Sequence, residues 1–509
     1  MDSMSRVGLI RSISAAMLVS VMCVCAACAD GTSASGSNVR TTDAAQTTAQ
    51  TAEVTDVTYD TTLEYEDTTT TGEGQTSPAP GSGSTITRHT ASSGTTRSGQ
   101  KPSASASATT GQTQASSDTP TKAPTTAAPT TQAEPKPSYD AFDLDQFTTP
   151  LWRGKTVYHE SVGFVEDKNG NIVSGELLFK PDKIICVRTP DLGYVYQEGK
   201  DYTVSGKKIV LKKGGGIPVF SFAKYSPAYP SGAQTDWLVS ASDPSRYIAV
   251  TGNVRNSQVM VTYTHSEPWS GFTPDAQMKK LPFSYQKLKN KQAMNIVFYG
   301  DSITAGYEAS GVDELVIDKD TLKEWNFKSS KAPYTPSWAE LVTRKLRNQY
   351  GYDGIRKINR GAGGSDSIWG KTNAAKLVNP ENPDLVVLGY GMNEVGRSGA
   401  EFKANIRSII ETIHTAHPRA EFVLVSCMLP NRQAAAFAGE KLAEQEEALY
   451  ALQREMTSVH IAVAPVNRMN RTLEDKGKVY TDYTGNNLNH PNDFLIRLYA
   501  QTILAALSL

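Results

Sequence analysis

Met294-Asn295-Ile296-Val297-Phe298-Tyr299-Gly300-Asp301-Ser302 is a nearly unbroken apolar run that stops at a Gly-Asp-Ser turn. An apolar run without strict alternation predicts a strand buried on both faces, the kind found in parallel sheets. A serine at such a strand-to-loop turn presents its hydroxyl and leaves its backbone N–H unpaired. The same texture continues downstream. Residues 336–346 have helical spacing, with Trp338, Leu341, Val342 and Leu346 on one side. Strands are expected at 355–358, 385–388, 422–425 and 460–464, and helices at 402–413, 441–456 and 492–507. Apolar strands alternating with helices predict an α/β fold, a parallel sheet covered on both faces. In such sheets the chemistry gathers at the carboxyl ends of the strands.

The segments just past those ends are therefore the informative ones. The first strand leads into Gly300-Asp301-Ser302-Ile303-Thr304-Ala305-Gly306, and the second into Asn359-Arg360-Gly361-Ala362-Gly363-Gly364-Ser365. The third is followed by Gly391-Met392-Asn393-Glu394, and the last helix is preceded by Asn487-Leu488-Asn489-His490-Pro491. Taken singly, each is an ordinary turn or capping segment, and the glycine-rich one lacks the spacing of a phosphate-binding loop. Taken together, they place one nucleophile, two kinds of hydrogen-bond donor and one base at one sheet edge. A serine hydroxyl attacks well only with a base beside it, so the set points to acyl transfer.

These four blocks, in this order, resemble those of the SGNH hydrolases, the GDSL esterases and lipases. The resemblance covers the chain from about Lys291 to Leu509, within an expected domain at 286–509. It implies a flavodoxin-like three-layer α/β/α domain with no cofactor and no metal. It also implies Ser302 as nucleophile and His490 as base. The oxyanion would be held by the backbone N–H groups of Ser302 and Gly364 and by the side-chain amide of Asn393. One position departs from the pattern. The acid that normally stands three residues before the histidine is here Asn487. The group orienting His490 is then Asn487, a backbone carbonyl, or an acid nearby in sequence, Asp482 or Asp493. Glu394 stands where the family has Asp and is expected to fix a loop.

Working outward, residues 139–285 lack helical periodicity. They carry short apolar or alternating runs at 156–162, 175–179, 208–211, 219–222, 247–251 and 258–263, separated by turns such as Lys168-Asn169-Gly170-Asn171. That pattern predicts an all-β sandwich, jelly-roll-like. It resembles, more weakly, the accessory β domain ahead of some bacterial carbohydrate esterases of this clan. Residues 307–335 are long for a strand-to-helix connection and carry Trp325, Phe327 and Tyr334, so they are expected to line an acyl or alcohol pocket. Trp237 and Trp269 are candidates for a sugar-stacking surface.

Residues 29–138 are dominated by Thr, Ser, Ala, Gly and Pro and have too little to bury, which predicts a disordered tether. Residues 1–28 read as an export signal: Arg6 and Arg11, a short apolar run, then Cys25-Ala26-Ala27-Cys28. The small residues before Cys28 resemble a lipobox and make Cys28 the lipidation candidate. Cys186 and Cys427 lack the paired spacing of a disulfide framework or zinc site. The 51 basic and 52 acidic residues nearly cancel, so no electrostatic case exists for nucleic acid; membrane contact is expected only through the N-terminal anchor.

The combined expectation is an extracellular, lipid-anchored serine esterase removing short acyl groups, acetyl above all, from a polysaccharide or oligosaccharide. The alternatives are a lipase or phospholipid acylhydrolase, and a non-catalytic carbohydrate-binding surface protein.

Overall fold

The computed structural model describes residues 143–229 and 238–509; the expected signal, Cys28, the tether and Trp237 lie outside them. Within Pro135–Leu509, the described residues build two larger sheets and four two-stranded ribbons. The antiparallel one holds β1 (Thr156–Gly163), β2 (Lys183–Arg188), β3 (Val195–Tyr196) and β4 (Gln258–Thr264) in the order β1-β4-β2-β3. The parallel one begins with β5 (Met294–Gly300) and, after a hairpin of β6 (Gly311–Ile317) and β7 (Glu324–Ser330), continues with β8 (Ile355–Gly361), β9 (Leu385–Gly389), β10 (Glu421–Val425) and β11 (Ile461–Ala464). Its order is β8-β5-β9-β10-β11, and every pairing is parallel.

The alternation along β5 explains the layering. Met294, Ile296 and Phe298 belong to one buried cluster; Val297 and Tyr299 belong to another. Successive side chains of a strand point to opposite faces, so both faces are dry. The first cluster includes residues of α2 (Trp338–Tyr350), α6 (Val466–Asp475) and α7 (Asp493–Ala506). The second includes residues of α3 (Ser367–Leu377), α4 (Gly399–Ala416) and α5 (Leu442–Glu455). Between them the domain is a three-layer α/β/α sandwich. Ser398 and Glu401 form a capping box at the start of α4, which satisfies N–H groups a helix start otherwise leaves orphaned.

The first cluster does not stop at the parallel domain. Val162, Phe164, Val259, Val261 and Tyr263 of the β-rich region join it, so the two regions share one core. Three of the six expected β runs are not ladder strands. At 175–179, buried Leu178 and Phe179 donate their N–H groups to Glu160 Oε1 and Tyr263 Oη at 2.9 and 3.2 Å, so side chains replace a neighbouring strand. Residues 222–225 turn helical, and the strand near 247 lies earlier, at Asp243–Tyr247. The long connection at 307–335 is not an open loop but the β6–β7 hairpin, paired from Gly311↔Ser330 to Ile317↔Glu324.

Candidate functional site

The site grows out of three glycines that end three adjacent strands. Gly300 is paired with Gly361 on one side and Gly389 on the other. A Cβ at Gly300 would collide with the Gly389 carbonyl, and one at Gly361 with the backbone of Ala305. Without side chains there, the four-residue turn α1 (Ser302–Ala305) packs directly over the strand ends. Asp301 caps it by accepting from Ile303 N–H at 2.9 Å, Thr304 Oγ1 donates to Gly389 O at 3.0 Å, and Trp338 Nε1 donates to Ile303 O at 2.8 Å. Burial pushes the Asp301 carboxyl up to about 7, against the pull of three backbone N–H groups.

Ser302 Oγ and His490 Nε2 are 2.8 Å apart, within the reach proton transfer requires. Gly364 has φ 68°, a left-handed value that favours glycine. A side chain there would meet nothing within 4 Å, so this turn faces open space. Asn393 Nδ2 donates to Ser365 O at 2.8 Å, which ties the third block to the second. Behind it, Glu394 accepts from Ser367 N–H at 2.6 Å and from Arg397, and Arg397 also pairs with Asp366. Glu394 thus clamps the loop, as its sequence position suggested. Tyr307 stands edge-on to His490, with ring centroids 5.6 Å apart, and packs on Phe327 of the hairpin at 4.4 Å.

The groups expected to orient His490 are elsewhere, and this is a correction. Asn487 has φ 67°, which swings its side chain away from the ring; its amide donates to Ala249 O and Tyr225 O at 3.0 and 3.3 Å. Asp482 is fully buried and accepts from Gly163 and Val479 N–H groups. Asp493 accepts from Ser310 N–H at 2.9 Å. The group at His490 Nδ1 is Asn486, whose Nδ2 lies 3.0 Å away. Nothing in the sequence separates Asn486 from Asn487; the left-handed turn at 487 decides which one faces the ring.

Arg255, from the 3₁₀ turn Gly252–Ser257, carries no sequence signal that ties it to this site. Its guanidinium donates to Gly485 O at 3.2 Å and pairs with Glu308 at 2.7 Å. Burial first, and this cation second, lower the His490 pKa to about 4. The loop carrying His490 is held by the β-rich region at many other points. Thr251 N–H donates to Asn486 O at 2.9 Å, and Gln258 Nε2 donates to Thr481 O and Thr484 O, both at 2.8 Å. Lys478 reaches Ser161 O and Glu160 with no exposure of either charged side chain.

Residues 298–494 match the family model described as GDSL-like Lipase/Acylhydrolase family. The chain is 22% identical over 231 residues to an acetylxylan esterase / glucomannan deacetylase of Cellvibrio japonicus (strain Ueda107), a match covering 42% of this chain and 61% of that protein. It therefore spans about three fifths of that relative's length. Similar solved structures include a two-domain esterase active on acetylated mannans, at 19% identity and TM-score 0.33, covering 47% of this chain and 55% of that one. Another is an acetylxylan esterase from Geobacillus stearothermophilus, at 18% identity and TM-score 0.32, covering 42% and 94%.

Proposed function

We propose that the protein is a serine ester hydrolase that removes short acyl groups, chiefly acetyl, from carbohydrate, a reading supported by the match of residues 298–494 to the GDSL-like lipase/acylhydrolase model. The observation that carries this reading is the 2.8 Å contact between Ser302 Oγ and His490 Nε2 beside the open turn at Gly364. Ser302 Oγ attacks the ester carbonyl carbon while its proton passes to His490. The resulting oxyanion is held by the N–H groups of Ser302 and Gly364 and by the Asn393 amide. Losing one such donor typically costs about 10²–10³ in rate. Collapse expels the alcohol, which takes the proton from His490, and leaves an acyl group on Ser302. Water then repeats the attack and frees the serine.

The carbohydrate part rests on two supports. One is the name of the Cellvibrio japonicus relative. The other is an aromatic row running from the histidine outward: Tyr307, then Phe327, then Trp325, the last two 5.5 Å apart, with Trp325 38% exposed. Aromatic faces of this kind suit the apolar faces of sugar rings.

Hydrolysis of an aryl acetate against an aryl octanoate, with Ser302→Ala as the control, tests the reading. Acetate turnover that vanishes with Ser302→Ala is the expected result. Preference for octanoate makes the protein a lipase, and no Ser302-dependent turnover of either makes it a binding protein. We extend the proposal to an exported protein lipidated at Cys28. Cys28→Ser is then expected to abolish fatty-acid labelling and release the protein from membranes.

A further inference from the structure

Asn486 is fixed by its own loop. Its Oδ1 accepts the backbone N–H groups of Leu488, Asn489 and His490, each at 3.0 Å. A side-chain amide has one oxygen and one nitrogen, so three N–H donors on one end leave no doubt which atom is which. The opposite end is therefore the NH₂ group, and it faces Asn489 Oδ1 at 3.1 Å and His490 Nδ1 at 3.0 Å. The residue is 5% exposed, and its backbone oxygen is held by Thr251. An NH₂ donor can meet a ring nitrogen only if that nitrogen carries a lone pair. In neutral imidazole the proton then sits on the other nitrogen.

We propose that Asn486 is a positioning residue that holds resting His490 with its lone pair on Nδ1 and its proton on Nε2, the reverse of what attack by Ser302 requires. The Ser302–His490 hydrogen bond then runs from the imidazole to the hydroxyl oxygen. This inference rests on the esterase reading and adds a restraint to it. For Ser302 to give up its proton, Nε2 must first lose its own to solvent while Nδ1 gains one, with no net change in charge. The new Nδ1–H needs an acceptor, so the Asn486 amide has to turn over and release three backbone N–H groups at once. The reactive tautomer is accordingly a minor state, and the enzyme idles.

The surroundings reinforce the restraint. The charge acting on His490 is Arg255, which pairs with Glu308 and also acts on Asp493 at the start of α7, and the Tyr307 ring stands edge-on to the imidazole. Glu308 pairs with Arg255 and Asp493 accepts from Ser310 N–H, and the group at Nδ1 is the Asn486 amide rather than either carboxylate. The charge acting on the ring is a cation where a carboxylate would stabilise the imidazolium.

Asn486→Asp tests this. One carboxylate oxygen can keep the three N–H groups while the other accepts Nδ1–H, which frees the Nε2 lone pair for Ser302. The expected result is a rise in kcat of about tenfold or more, bounded by the roughly 10⁴ that the reverse exchange costs in serine proteases. The acid limb of kcat/KM is also expected to move toward neutral pH. Independently of turnover, ¹⁵N NMR of histidine-labelled full-length protein reads the tautomer, with His490→Gln identifying the signals. The wild type is expected to show protonated Nε2 and unprotonated Nδ1, and Asn486→Ala to lose that bias. Protonated Nδ1 in the wild type, or a folded Asn486→Asp with no gain in kcat, overturns the proposal. Failure of the esterase reading looks different: no Ser302-dependent turnover in either protein, whatever the tautomer.

Discussion

At the residue scale, His490 works in an environment that disfavours its charged form. Burial and Arg255 together bring its pKa down to about 4, from about 6.5 for an ordinary histidine. A lowered pKa means the neutral ring persists as pH falls, so the base is lost only near and below pH 4. The profile of kcat/KM, which reports the free enzyme, is expected to hold nearly level from pH 7 to pH 5. A midpoint near 6.5 would contradict the burial that the loop imposes. Folding carries the same sign. The unfolded chain takes up a proton near 6.5 that the folded chain refuses, so stability from this group declines as pH falls below that value. His159, lowered to about 3 chiefly by burial, adds to the decline.

At the element scale, the feature that brings aromatic side chains to the histidine is the β6–β7 hairpin. It occupies the place where the sequence predicts a lining loop, and its register sets which aromatics serve. Trp325 is opposite Val316 and Phe327 opposite Glu314; the two aromatics, two residues apart, lie on the same face of the ribbon. Buried Glu314, midway along β6, anchors the hairpin, accepting from Asn359 Nδ2 at 2.7 Å and pairing with Lys357 at 2.9 Å. The aromatic row proposed to meet the sugar is thus tied to the strand that leads to Gly364. Trp325→Ala is expected to raise KM for an acetylated oligosaccharide about fivefold, equivalent to roughly 1 kcal/mol of ring contact. The effect on an aryl acetate, which carries no sugar ring, should be much smaller. Equal effects on both substrates would remove the hairpin from sugar binding.

At the scale of the whole molecule, the β-rich region is a structural partner of the catalytic loop. Lys478 and Glu160 meet at 2.6 Å with both side chains fully buried, and Asn492 bridges Ser161, Gln258 and Asp482 O at 3.0–3.2 Å. Removing one member of a buried ion pair strands the other charge, at a cost of about 3–5 kcal/mol. Lys478→Met is therefore expected to lower the urea midpoint by that equivalent at unchanged slope, and to reduce kcat because the His490 loop loses its support. A large stability loss with unaltered kcat would separate the two roles. The shared core further predicts that the β-rich and parallel-sheet regions unfold in one transition.

Much of this was legible in the residues themselves. Apolar runs such as 294–299 can be satisfied only between two layers, so their spacing alone specified a covered parallel sheet. Ser302, Gly364, Asn393 and His490 stood out because each lies at the end of a different core element, and strand ends in such a sheet converge. The capping of α4 by Ser398 and Glu401 is equally local. What the order of residues could not contain is anything decided by a backbone angle or a distant contact. The φ of 67° at Asn487 turns one asparagine toward the β-rich region and leaves its neighbour Asn486 against the histidine. Arg255 reaches the same loop across 230 residues of chain. The local pattern marked candidate side chains at the strand ends; the tertiary structure decided which group faces the histidine ring, because that depends on atoms which only folding brings within hydrogen-bond reach.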